Sequence, residues 1–181
     1  FPIADYRQAY TSKPLSYLGN LVGHEGEGSL LSRLKAEGLA ESLGAGSGLA
    51  WRGGALFNVS VSLTEKGIEN YQRVLQLIFA YMDMLRQAGP KQWLYDEQAR
   101  LAELGFRFRG EARPINYVSA SATGMHTYAA EDVLRGPYMM TRYDESMLEQ
   151  LIAALVPENA LVTLSDKSAI TDRVSSYYQV P

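Results

Sequence analysis

Seven consecutive residues constrain the fold of this chain most. Phe57, Val59, Val61 and Leu63 alternate with Asn58, Ser60 and Ser62. A strand with that pattern has one apolar and one wet face, and the apolar face has to be buried against another element. The period then changes at Thr64, a helix-capping residue with Glu65 placed at the positive end of the helix dipole. From there Ile68, Tyr71, Leu75, Ile78, Phe79, Met82 and Leu85 form a stripe at helical spacing, which Gly89-Pro90 ends. A one-faced strand running into a one-faced helix predicts helices layered on a sheet.

The remaining segments extend that reading. Lys13 to Leu34 reads as two helical pieces. Pro14 suits a first turn, and Tyr17, Leu18, Leu21 and Val22 share a face. Gly23, Gly26 and Gly28 then interrupt around His24, Glu25 and Glu27, and Ser29 caps a short helix through Leu30, Leu31 and Leu34 that Gly38 ends. Leu39 to Gly54 is rich in glycine and small residues, which reads as a loop or a weakly specified strand. Further helices are expected over Lys91 to Phe106 (Trp93, Leu94, Leu101, Leu104), from Arg113-Pro114, and from Asp144 through Met147, Leu148, Leu151, Ile152 and Leu155 to Pro157. Leu161 to Ser165 and Tyr177 to Val180 read as strands. Strands that are few, and separated by a helical block, predict an α+β fold with helices on one face of a mostly antiparallel sheet. We expect a single α+β domain over residues 1–181. Both ends read as strand segments of something longer, so the chain is expected to be a domain excerpt.

Composition narrows the function classes. With 17 Lys+Arg against 20 Asp+Glu the net charge is −3, which disfavours a nucleic-acid partner because phosphate binding needs clustered cations. No apolar run approaches the roughly 20 residues of a membrane span. There is no cysteine, so disulfides, thiolate metal sites and cysteine nucleophiles are excluded. His24-Glu25 starts like the HExxH zinc helix, but the fifth residue is Gly28, and three glycines in six residues disfavour that helix. The inverse motif HxxEH is absent. Gly23, Gly26 and Gly28 do not make a phosphate cradle, because no strand leads in and Glu25 and Glu27 would repel an anion. Gly44-Ala45-Gly46-Ser47-Gly48 misses the spacing of a nucleophile elbow. The residues alone reach a domain with no self-contained active site: no catalytic residue and no metal ligand set.

One string says more. Tyr17-Leu18-Gly19, Gly23-His24-Glu25-Gly26, Gly28-Ser29-Leu30-Leu31-Ser32, Leu34-Lys35 and Gly38 form a long gapless block. Phe1-Pro2-Ile3 precedes it. Asn58 to Gly67, Gly89-Pro90, Phe106-Arg107-Phe108, Arg113-Pro114 with Tyr117, Pro157-Glu158-Asn159-Ala160 and Tyr178-Gln179-Val180 follow in order. Together they resemble the second, non-catalytic domain of the pitrilysin/insulin-degrading enzyme family of zinc metallopeptidases, in a bacterial member. The resemblance implies a parent built from homologous α+β domains around a chamber, with zinc and its HxxEH ligands in the preceding domain, outside this chain. It implies partners of two kinds, peptide substrates and the other domains of the same peptidase, and leaves self-association open. It also implies a bacterial periplasmic or cytoplasmic setting, with the periplasm favoured.

By the same resemblance this domain supplies an exosite that grips a peptide by strand addition. Its strand would be Leu43, Gly44, Ala45, Gly46 and Ser47, and its neighbouring helix and loop Ser16, Gly19, Asn20, Gly23 and Glu25. An unpaired edge offers N–H and C=O groups to a peptide, Glu25 would face a substrate α-amino group, and a proline at Gly46 would remove an edge N–H. An internal strand without a ligand is the alternative for the same residues. His24 either lines the chamber or satisfies the glycine-rich turn, and Arg113 either faces substrate carboxylates or forms a surface or inter-domain ion pair. Two other functions remain open: an inactive scaffolding partner of an active peptidase, and a stand-alone peptide-binding module.

Overall fold

The computed structural model describes residues 1–167, 169 and 173–178. Its centre is a hairpin of β2 (Ala40–Trp51) and β3 (Gly54–Leu63), turned through Gly53 at φ 95°, a conformation glycine adopts without strain. A short β1 (Pro2–Ile3) pairs antiparallel with the start of β3, Pro2 opposite Leu56 and Ile3 opposite Ala55, so the strand order is β1-β3-β2. On the other side of β3, Leu43 lies opposite Val61, Ala45 opposite Val59 and Gly46 opposite Asn58. The glycine-rich stretch is therefore a strand of 12 residues, stabilised by its ladder with β3 rather than by side-chain propensity.

One pair of hydrogen bonds orients the main-chain groups of β3 from Phe57 onward and of β2 from Ser42 to Ser47, the stretch between the ladder's two register shifts. The Phe1 ammonium donates to the Phe57 carbonyl at 2.9 Å, and the Phe57 N–H donates back to the Phe1 carbonyl at 2.9 Å. Phe57 thus directs its polar groups toward β1. Because direction alternates along a strand, Asn58, Ser60 and Ser62 face β2, whereas Val59, Val61 and Leu63 face away from it. On β2, Ser42, Gly44 and Gly46 oppose those three polar residues and complete the ladder. Leu43, Ala45 and Ser47 turn their N–H and C=O to the outer edge.

Seven helices follow the sheet or precede it: α1 (Pro14–Val22), α2 (Leu30–Ala36), α3 (Glu65–Glu69), α4 (Tyr71–Ala88), α5 (Gln92–Arg107), α6 (Pro114–Gly124) and α7 (Glu145–Ala153). The expected caps are present: Ser29, Thr64 and Asp144 accept from the N–H groups of Ser32, Gly67 and Met147. Leu43, Phe57 and the partly buried Val59 and Val61 meet Leu18, Leu31, Leu34, Ile78, Met82 and Leu151 in the core. Gly44, Asn58, Ser60 and Ser62 stay exposed, so one face of the sheet carries the helices and the fold is α+β.

Several local expectations change. The helix expected from Thr64 is two helices, because Asn70 leaves helical geometry (φ −116°, ψ 32°) and its side chain donates to the Lys66 carbonyl. The buried line of α4 is Val74, Ile78, Met82 and Leu85; Ile68, Leu75 and Phe79 are only half-buried and Tyr71 is exposed. On α5 three of the apolar residues that mark the expected helix, Trp93, Leu101 and Leu104, are exposed. Tyr95 is buried instead, packed with Tyr17, Met140 and Leu148, its hydroxyl donating to the carbonyls of Thr11 and Arg142. Those anchors set the rotation of the helix. Residues 161–165 have no ladder partner among the described residues, so the strand expected there is absent. Of the last expected strand, Tyr177 and Tyr178 lie in a turn, and Gln179 and Val180 fall outside the described residues.

Candidate functional site

α1 and the outer edge of β2 meet at two glycines. A Cβ on Gly19 would lie 3.1 Å from the Ala45 carbonyl oxygen and 3.3 Å from Gly46 Cα, and one on Gly23 would lie 3.4 Å from the Ala45 nitrogen. Both main-chain groups of Ala45 therefore point at α1, in agreement with the strand alternation. Only hydrogens on the helix side leave them accessible. The helix dips to the strand here because Leu18 and Val22, one residue along from each glycine, are fully buried beneath the sheet.

Beside this contact a cleft of about 410 Å³ opens, lined by Leu15, Ser16, Gly19, Asn20, Ala45, Gly46 and Ser47. Six of the ten residues expected in an exosite thus line one cavity. Leu15 joins them, and nothing in the sequence marked it. The other four contribute differently. Leu43 is buried in the core and offers only its main chain to the edge. Gly44 lies on the ladder, exposed on the wet face. Gly23 forms the floor under Ala45. Glu25 is exposed in the turn that follows α1 and has no ion pair among the described residues.

Ala45 and Ser47, rather than Gly46, carry the free edge. A proline at Gly46 would remove a ladder N–H facing Asn58, not an edge N–H, which revises the expectation from sequence. The alternation was not readable because glycine and alanine do not reveal which face of a strand is inside.

His24 is folded back on its turn: its Nδ1 accepts from the Gly26 N–H at 3.1 Å. A Cβ on Gly26 would come within 2.5 Å of His24 Cε1, so glycine is what lets the ring lie there. Arg113 is exposed at the start of α6 and lines neither the cleft nor any ion pair among the described residues. No cluster of three or more His, Cys, Asp or Glu among the described residues could hold a metal ion. No helix among them is long and apolar enough to cross a membrane.

Comparison with known proteins decides the family. Residues 1–101 match the model of the peptidase M16 inactive domain, and residues 106–181 match that of the middle or third domain of peptidase M16. The chain belongs to the peptidase M16 family. It is 38% identical over 171 residues to human insulin-degrading enzyme, which covers 93% of this chain and 17% of that protein. It is 35% identical over 168 residues to the Drosophila melanogaster enzyme, again covering 93% of this chain and 17% of the relative. The A-factor-processing enzyme of Saccharomyces cerevisiae is 36% identical over 179 residues, 98% of this chain and 17% of the relative. The crystal structure of pitrilysin superposes with a TM-score of 0.84 at 29% identity, over 88% of this chain and 17% of that chain. This M16 chain thus spans about a sixth of the length of those relatives and corresponds to a non-catalytic, insulinase-type part of them.

Proposed function

We propose that this M16 chain is the substrate-binding, chamber-forming domain of a zinc metalloendopeptidase whose metal and HxxEH motif lie in another domain. Zinc there would polarise a bound water for attack on a peptide bond; this chain's part is to hold the peptide. The observation that carries the reading is the cleft between α1 and β2, where the outward main-chain groups of Ala45 and Ser47 open onto a floor of glycine. An extended peptide entering it would add a strand to β2. Main-chain pairing supplies affinity with little dependence on sequence, and the small side chains of Ala45 and Ser47 leave room for varied residues. Glu25, exposed beyond the end of α1, would face the peptide's α-ammonium. We further propose that residues 1–181 act as one domain. Residues of both matched stretches share a core: Leu151, Ile152 and Leu155 pack with Leu18, Leu43 and Phe57.

The test is fluorescence-anisotropy binding of a labelled decapeptide with a free N terminus to the chain and to Ser47→Pro, which deletes one outward N–H at an exposed position. Loss of one main-chain hydrogen bond of about 1 kcal/mol should weaken binding roughly five-fold. Equal affinity of the two folded chains would overturn strand addition at this edge. Binding with no hydrolysis by the chain alone would fit a handling role, and hydrolysis would contradict it.

A further inference from the structure

The cleft between α1 and β2 is not uniform along its length. α1 runs opposite to β2: Gly23 lies at the Ala45 nitrogen, and Gly19 at the Ala45 carbonyl oxygen and Gly46 Cα. Residues four apart on a helix share a face, so the next residue on that line is Leu15, one turn before Gly19 and level with Ser47. Both line the cleft. At Gly19 and Gly23 a Cβ would already press on the strand, at 3.1 Å and 3.4 Å, and helix and strand touch there. At Leu15 a side chain stands between them instead. It packs against the core on one side and lines the cleft on the other. Among the described residues lining the cleft, only Leu15 is large and apolar; Ser16 and Asn20 are polar and exposed.

Strand pairing selects which residue of a bound peptide reaches Leu15. Leu43 is in the core and Ala45 packs against it, so these residues of β2 turn their side chains to the helix side. Ser47 lies in the same unbroken run of register and turns its side chain the same way. Residues directly opposite each other in paired strands share a face. The peptide residue opposite Ser47 therefore directs its side chain to the helix side, onto Leu15. The residue opposite Ala45 points the same way but arrives where α1 touches the strand. The residues between and beyond them point to the wet face, with Gly44 and Gly46.

Main-chain pairing holds any extended peptide, and a pocket for an alternate side chain is what discriminates among them. Given the strand addition proposed above, on which this rests, we propose that the cleft selects peptides by one large apolar side chain opposite Ser47. Leucine or phenylalanine fits that description, and Leu15 is the specificity-determining residue that receives it. Glu25 lies past Gly23, toward the start of β2. With its α-ammonium at Glu25 the peptide runs parallel to β2, and the selected residue is an internal one. Its two neighbours in the peptide face water and are not selected. The substrate class is a peptide with a free N terminus and an apolar residue at one fixed distance from it.

The experiment moves a single leucine through positions two to seven of a labelled Ser/Thr decapeptide with a free N terminus. Binding is read by fluorescence anisotropy on the chain, on Leu15→Ala, on Leu15→Met and on Ser47→Pro, each checked for folding by circular dichroism. On the unaltered chain, affinity should peak at one position about ten-fold above the leucine-free host, the effect of removing roughly 50–60 Å² of apolar surface from water. It should fall back to the host value at both neighbouring positions. Leu15→Ala should level the peak and leave the host's affinity unchanged, whereas Leu15→Met should keep the peak. A flat scan on the unaltered chain overturns the apolar selection, and if Ser47→Pro still weakens the host, strand addition stands without it. A peak undiminished in folded Leu15→Ala also overturns it, by placing the contact away from Leu15. Host binding unaffected by Ser47→Pro overturns both readings.

Discussion

Gly67→Ala separates sequence reasoning from structural reasoning by sign. Gly67 lies in the first helical turn after Thr64, where alanine should be worth about 1 kcal/mol more than glycine on helix propensity. The structure opposes this. A Cβ at Gly67 would sit inside the van der Waals shell of the Leu39 carbonyl, 2.9 Å from its carbon and 3.3 Å from Leu63 Cβ. Neither neighbour is free to yield. Leu39 O accepts from the Thr64 N–H at 3.2 Å and Gly38 O accepts from Thr64 Oγ1 at 2.8 Å, so this junction ties the start of β2 to the start of α3. Relieving the clash means moving α3 away, with overpacking strain of about 1–3 kcal/mol and two weakened hydrogen bonds of about 1 kcal/mol each. After the propensity gain, the variant should be about 2–4 kcal/mol less stable, a fall in Tm of roughly 4–16 °C for a chain of this size. The assay is urea and thermal unfolding by circular dichroism, with Gly105→Ala as the matched control. There the new methyl meets only the Tyr138 ring, at 3.7 Å, and a gain of about 0.5–1 kcal/mol is expected. If Gly67→Ala were as stable as the parent, the close approach of α3 to Leu39 would be refuted.

Lys13 has φ 40° and ψ 56°, the left-handed region, and burial lowers the pKa of its ammonium. Lys13→Asn should therefore raise stability by about 1 kcal/mol, and a loss in urea unfolding would show that the lysine stem packs usefully. Leu151→Ala, at a fully buried site, should cost about 2–5 kcal/mol. Leu101→Ala, at a site 60% exposed, should stay within about 0.5 kcal/mol, and chemical denaturation of the pair tests which leucine is core.

Phe57 to Leu63 was legible as a strand because its side chains differ on the two faces, and Ser29, Thr64 and Asp144 were legible as caps because each acts within three residues. The family block from Tyr17 to Gly38 was legible as well, and it pointed to the residues that line the α1–β2 cleft. Side chains that report no facing were not legible. The run Gly44 to Gly48 carries no hydrophobic pattern, so its strand character, and the direction of Ala45 and Ser47, came from β3. The rotation of α5 was hidden too. Trp93, Leu101 and Leu104 make as good a stripe as the one that contains Tyr95, and the choice is made by carbonyls of Thr11 and Arg142, 84 and 47 residues away.

Sequence by itself determined what local chemistry determines: the periods of the elements, their caps and breaks, and the kinship with M16 peptidases. Tertiary structure decided which edge groups are free, which glycines are close contacts and which apolar stripes find a partner. Those outcomes depend on pairings between residues far apart in the chain, whose energies are set by approach distance and direction rather than by residue type.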